Sequence, residues 1–360
     1  MTKRLLMSMI LCLIGITVLA QRTVQNLFLS NQKEKKSDWF FAYSNGDYAK
    51  AYQLMTKKDI SLPKNQFLTN AFQYANRETT IIDSTLEIWG DSFYNQFPKS
   101  KIHFTNGDKV ILPLERNLFL ATIGKDSLRV VLDTGGHGIS ISKRLVEKYN
   151  LPTDTNITGS SYMPAFKRVS KTSPTIIKTI KFGNLELSNL RAEYTVSAKD
   201  NGEFDSKQQY DIFMGIDILI GLIDYVRFDW ENKEIIFSNQ KLQMENTQPI
   251  FFFDSKPITV LQLGDKNLTT VFDTGSPIDI LNKEYYKELY KKKEEKKYGN
   301  YAYNLYTVPI NIRNAKLNLG IADYMEGFNL KLDKEIIDLI IGTTHQRLTI
   351  DLKNNKLEIK

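Results

Sequence analysis

The chain carries one cysteine, Cys12, in 360 residues. A disulfide within the chain is excluded, and so is a thiolate-built zinc site. Histidine is nearly as scarce. His103, His137 and His345 are the only three, and none has a metal-ligand partner at helical or hairpin spacing. Charge of one sign is also missing. The net charge of +7 comes from 48 basic and 41 acidic residues, and the densest run, Lys291 to Lys297, alternates in sign. That run reads as a solvated helix face, and no nucleic-acid partner is expected. With 42% hydrophobic and 25% charged residues, the composition is that of a globular protein long enough for two or three domains.

Only one long apolar run exists, and it lies at the start. Lys3 and Arg4 precede a stretch from Leu5 to Leu19, which ends on Ala20 before the polar Gln21-Arg22. This order predicts a signal peptide over residues 1–20 and an exported, periplasmic or extracellular protein. The run is shorter than the ~20 apolar residues of a membrane span, so no span is expected in the mature chain. Cys12 follows Met9-Ile10-Leu11, without the small residue that a lipidation site places before its cysteine. Residues 21–105 read as a helical N-terminal region of unassigned role. Trp39, Phe40, Tyr43, Tyr48, Ala51, Tyr52 and Met55 recur at spacings near three and four. Lys101 to Pro113 reads as a hairpin around Asn106-Gly107.

The rest of the chain repeats itself. Leu128-Arg-Val-Val-Leu-Asp133-Thr134-Gly135 lies over Leu268-Thr-Thr-Val-Phe-Asp273-Thr274-Gly275. In each, apolar and β-branched residues form a short strand that runs into the acid. Ser142 and Asn282 then stand as N-caps of short helices reaching Tyr149 and Leu289. Ile180 to Leu187 matches Ile310 to Leu317, each a pair of strands about a turn. Ile212-Phe213-Met214-Gly215 matches Leu339-Ile340-Ile341-Gly342. Phe228-Asp229-Trp230-Glu231-Asn232 matches Ile350-Asp351-Leu352-Lys353-Asn354. Matches in one order define two all-β lobes, residues 106–240 and 246–360.

The paired Asp-Thr-Gly triplets, each followed by an apolar-apolar-Gly segment, resemble the pepsin and retropepsin superfamily of aspartic peptidases. The resemblance covers about two thirds of the chain. A stray triplet falls in roughly one chain of a dozen at ordinary composition; two at matching positions of a repeat are much rarer. The resemblance implies a mainly β, bilobal fold close to a fused retropepsin-like dimer, monomeric because both lobes share one chain. It implies a polypeptide substrate, no cofactor and no metal. Asp133 and Asp273 would be catalytic. Thr134 and Thr274 would exchange hydrogen bonds between the lobes, while Gly135 and Gly275 allow tight turns and close approach. The Ser276 hydroxyl would reach a catalytic carboxylate, which Gly136 at the matching place does not offer. Gly215 and Gly342 would pack beneath the catalytic loops.

Two carboxyls brought together share one proton, so one acts as base on a water while the other donates to the peptide carbonyl. Aspartic proteases are the standard instance of this pairing. Tyr162, after Gly159-Ser160-Ser161, is the candidate for a flap over the cleft; Tyr298 to Tyr303 occupies the matching interval of the second copy. Asp217, Asp229 and Asp351 read as turn or surface acids. His137 and His345 have no nucleophile partner and are given no catalytic role. The residues leave two other readings open: a peptide- or partner-binding protein without turnover, and a zymogen held by its N-terminal region.

Overall fold

The computed structural model describes residues 91–163, 168–196, 210–253, 256–263, 266–281, 293–298, 301–312, 315–322, 331–332 and 335–360, with the isolated residues Leu27 and Leu54. The signal peptide expected over residues 1–20, most of the helical region expected over 21–105 and the helix expected after Asn282 lie outside the described residues. Among the described residues no helix is long and apolar enough to cross a membrane.

The first lobe grows from the strand Asp126–Asp133, whose Leu128, Val130 and Leu132 point inward. Leu118–Ile123 pairs with it antiparallel, and Ile212–Gly215 pairs with it parallel, which sets Asp133 opposite Gly215. Ile139–Ile141 returns along the far side of Ile212–Gly215 and runs parallel to Leu185–Thr195. The long hairpin Arg168–Phe182 with Leu185–Thr195 then meets Leu118–Ile123 again through Thr122 and Lys181. Six strands thus close on themselves, and closure removes the open edges that invite aggregation. Val130, Leu132, Ile141, Ile180, Phe182, Leu187 and Met214 fill the interior. Phe119 meets Phe182 edge to face, with ring centroids 4.9 Å apart.

The second lobe repeats the arrangement around its own acid. Lys266–Phe272 pairs antiparallel with Lys256–Leu263 and parallel with Leu339–Ile341, and Ile280–Leu281 returns antiparallel to the last. The duplication read from residue types is therefore also a duplication of strand order and direction. Phe182 pairs with Leu185, and Ile312 with Ala315, at the matched two-strand turns.

A six-stranded sheet joins the lobes. Its order is Gln248–Pro249, Lys356–Ile359, Arg347–Asp351, Tyr225–Asp229, Glu234–Ser238, Lys109–Pro113. At its centre Tyr225 faces Asp351 while Asp229 faces Arg347, so the register reads the same from either lobe. Asp229 and Asp351 are the turn acids expected, though buried: each accepts the backbone N–H three residues on, from Asn232 at 3.0 Å and Asn354 at 2.8 Å.

Three local expectations are corrected. Lys101 to Pro113 does not form a hairpin. Lys101–Phe104 pairs with the Leu185–Ser188 end of the barrel, and Lys109–Pro113 pairs with Glu234–Ser238 in the joining sheet. Asn106-Gly107, with Gly107 at φ 64°, is a crossover between sheets; burying Val110 in the core outweighs the local turn preference. The alternating Lys/Glu run is no helix face, because Lys293–Tyr298 is a strand paired with Tyr301–Tyr306. Ser142 does precede the helix Lys143–Lys148, but its hydroxyl makes no capping bond. At the start of the described chain a one-turn helix, Asp91–Tyr94, docks on the barrel. Phe93 and Tyr94 pack on Ile176, and Tyr94 Oη donates to the Ala192 carbonyl at 2.7 Å.

Candidate active site

Each Asp-Thr-Gly loop leaves a buried strand at the line where the lobes meet. Asp133 is held opposite Gly215 by the parallel ladder, and Asp273 donates its backbone N–H to the Ile341 carbonyl at 2.8 Å. The threonines then cross. Thr134 Oγ1 donates to the Phe272 carbonyl at 2.6 Å and accepts the Thr274 N–H at 2.9 Å. Thr274 Oγ1 donates to the Leu132 carbonyl at 2.9 Å and accepts the Thr134 N–H at 3.0 Å. Both side chains are buried. Every hydroxyl both gives and receives a bond across the interface, so neither loop can shift against the other without breaking all four.

The crossing brings the carboxyls together. A Cβ on Gly135 would overlap the Asp273 carboxyl, and one on Gly275 would overlap the Asp133 carboxyl. Glycine is needed here for space. Gly275 N–H lies 3.1 Å from Asp133 Oδ1 and 2.9 Å from Asp273 Oδ1, and Gly135 N–H donates to Asp133 Oδ1 at 2.8 Å. Burial, followed by the charge of Asp273 and a hydrogen bond to it, pushes the Asp133 carboxyl well above the usual carboxylate range; the Gly135 and Gly275 amides oppose this.

The surrounding residues divide differently from expectation. The Ser276 hydroxyl donates to the Ile278 carbonyl at 2.6 Å and so shapes its own loop. At Gly136 a Cβ would overlap the Phe213 ring, so packing excludes a side chain there. A Cβ on Gly215 would overlap Gly136 and the Asp217 carboxylate, and one on Gly342 would overlap Ser276 and Ile278. Asp217 is no surface acid. It is buried, and its carboxylate accepts the Gly138 N–H at 3.1 and 3.2 Å, bracing the Asp133 loop. Burial, with the positive charge of Lys256 behind it, lowers His137 to about 4, so that its ring is neutral near neutral pH.

Tyr162 lies on the hairpin Gly159–Met163 with Arg168–Thr172, opposite Val169. The second copy carries a hairpin at the matching interval, Lys293–Tyr298 with Tyr301–Ile312. Both lobes thus own a candidate flap.

One acid stands apart from the dyad. Burial raises Glu193 to about 7. A raised carboxyl stabilises the fold below its ordinary titration range, and that stability is lost as pH rises through the raised value. Glu193→Gln is therefore expected to increase stability at pH above about 7, by up to about 3 kcal/mol, and to change little near pH 4. Denaturant midpoints at both pH values check this; equal effects at the two would contradict it.

A mainly β fold of two duplicated lobes, with one Asp-Thr-Gly loop from each meeting at their interface, defines the aspartic-protease class of architecture. Residues 120–221 match the model of the aspartyl protease family. Among solved structures, a retropepsin-like aspartic protease from Rickettsia conorii is similar at 15% identity and a TM-score of 0.25, over 39% of this chain and 91% of its own. Basic 7S globulin from soybean is similar at 11% identity and a TM-score of 0.44, over 71% of this chain and 97% of its own. No curated protein matches the chain.

Proposed function

We propose that the protein is an exported aspartic endopeptidase that hydrolyses peptide bonds with a water activated by Asp133 and Asp273. The observation that carries this is the contact of the two carboxyls, one from each lobe, with the Asp133 proton held against ionisation. A water between them gives up a proton to the charged carboxyl as it attacks the scissile carbonyl. The protonated carboxyl donates to the carbonyl oxygen, and the tetrahedral species then collapses with the proton passed to the leaving amine. The two acids titrate as a pair, so the roles belong to the dyad. An extended peptide lying along the lobe interface suits the sheet-rich walls, since strand addition satisfies its backbone groups.

The test is cleavage of a diverse peptide mixture by the chain from Gln21 onward, over about pH 3 to 8. Activity is expected on a bell-shaped profile. It falls on the alkaline side as the raised Asp133 proton is lost, and on the acid side as the dyad takes up a second proton. A peptide carrying a hydroxyl at the scissile position, mimicking the tetrahedral species, is expected to inhibit. A flat profile, or no cleavage at any pH, would overturn the proposal.

A further inference from the structure

Below each catalytic loop the strand that ends in glycine is tied to the loop by a buried acid, but the two lobes tie it from opposite sides. In the first lobe the acid lies beyond the glycine: Asp217 reaches back to the Gly138 N–H of the loop. In the second lobe the acid lies on the loop: Asp279 reaches across to the segment beyond Gly342. The position matching Asp217 is Thr344, and the position matching Asp279 is Ile139. One brace has been built twice from unlike residues, which marks the tie itself as what the site requires.

The second brace is the larger. Asp279 is fully buried, and three donors converge on its carboxylate. Gly342 N–H lies 2.7 Å from Oδ1, Thr344 Oγ1 lies 2.6 Å from Oδ2, and His345 Nε2 lies 3.1 Å from Oδ1. A carboxylate only accepts, so Nε2 carries the hydrogen in this contact. The His345 side chain is 5% exposed. Thr343 N–H adds a bond of 3.0 Å to the Ser276 carbonyl, and Gly342 leaves no room for a Cβ against Ser276 and Ile278. The segment Asp273–Asp279 is thus pinned to Gly342–His345 along its length.

We propose that His345 is a positioning residue for the second carboxyl, acting through Asp279 to hold the Asp273 loop where its acid meets Asp133. The proposal rests on the dyad reading above but concerns a separate contact. Removing the imidazole leaves a buried acceptor short of a donor, and the loop regains freedom where the acid must be fixed. A displacement near 1 Å at a reacting group costs about a hundredfold in rate.

The test uses the chain from Gln21 onward, with His345→Leu and His345→Gln variants, and reads two signals. Carboxyl titration by NMR of aspartate-labelled protein follows Asp133, which faces Asp273 and the Gly135 and Gly275 amides. Peptide cleavage separates kcat from KM. In His345→Leu the Asp133 titration is expected to fall toward the ordinary carboxylate range, and kcat to drop about ten- to a hundredfold with KM within about threefold. Glutamine, which supplies an N–H at similar reach, is expected to restore both. Parental titration and parental kcat in His345→Leu would overturn the proposal, and so would failure of glutamine to rescue a folded protein. If the leucine variant does not fold, Thr344→Val removes a single donor from Asp279 and is read in the same way. A parent with raised titration but no cleavage would sink the peptidase reading and leave this one standing on the titration arm.

Discussion

Asp133→Asn and Asp273→Asn are each expected to lower kcat by about 10²- to 10⁴-fold, the range supplied by a positioned general acid or base. Asparagine matches the carboxyl in shape, so the crossed threonine bonds and the glycine contacts are left in place. What it loses is the shared proton. An amide neither accepts the water's proton nor passes one to the carbonyl. Stability is expected to move the other way. Asp133 resists ionisation in the folded protein because it is buried beside Asp273. A raised acid is stabilising below its ordinary titration range, and that contribution disappears as pH rises through the folded value. Asp133→Asn removes this loss, so the variant is expected to be the more stable protein at neutral pH and above. Turnover and thermal midpoints on the same samples check both signs. A variant that is inactive and also less stable at neutral pH would indicate a damaged fold. A variant that cuts at the parental rate would remove the dyad from the mechanism. A protein that only bound peptides would keep its affinity through either change.

Thr134→Val is expected to cost about 3–5 kcal/mol of stability. The threonine hydroxyl meets two buried groups of the other lobe, the Phe272 carbonyl and the Thr274 N–H. Valine fills the same space and serves neither. Each buried group left without a partner costs about 1–3 kcal/mol. Serine at the same site keeps both bonds and is expected to lose far less. Thr274→Val exposes the matching pair, the Leu132 carbonyl and the Thr134 N–H. The four bonds form one network, so the double variant is expected to cost less than the two singles added. Denaturant midpoints for the three proteins decide it. Single losses below about 1 kcal/mol would mean that the joining sheet, and not the threonines, holds the lobes in register.

The parts of this molecule that were readable in advance are those whose signal is local. Asp133 and Asp273 stand at the ends of apolar strands and in front of glycines, and both the strand and the turn are written within eight residues. Repetition of that short pattern then places the two loops at equivalent positions. The braces beneath them were not readable. Asp279 meets His345 across a gap of 66 residues, and Asp217 meets Gly138 across 79. Nothing near either acid marks it, because an aspartate in a turn and one buried on a loop amide have the same neighbours in sequence. The only available sign was negative: an acid within an apolar run such as Ile216 to Ile220 or Ile278 to Leu281 needs a partner if it is buried. Lys101 to Pro113 failed for a related reason. Asn106-Gly107 favours a tight turn, but each flanking segment gains more from a different sheet. The run at Lys293 misled because charge alternation fits a strand as well as a helix, and pairing with Tyr301–Tyr306 decided between them.

The joining sheet also sets the order of events in synthesis. Tyr225–Asp229 leaves the ribosome early, but its central neighbour Arg347–Asp351 and the flanking Lys356–Ile359 leave more than a hundred residues later. The first lobe can close its barrel on its own, since all six barrel strands lie before residue 216. It then carries an acid with no companion. Domains fold in the order in which they emerge, so the nascent chain holds one of the two paired acids alone until translation is almost over. If the peptidase proposal holds, an unfinished chain has no complete pair with which to cut.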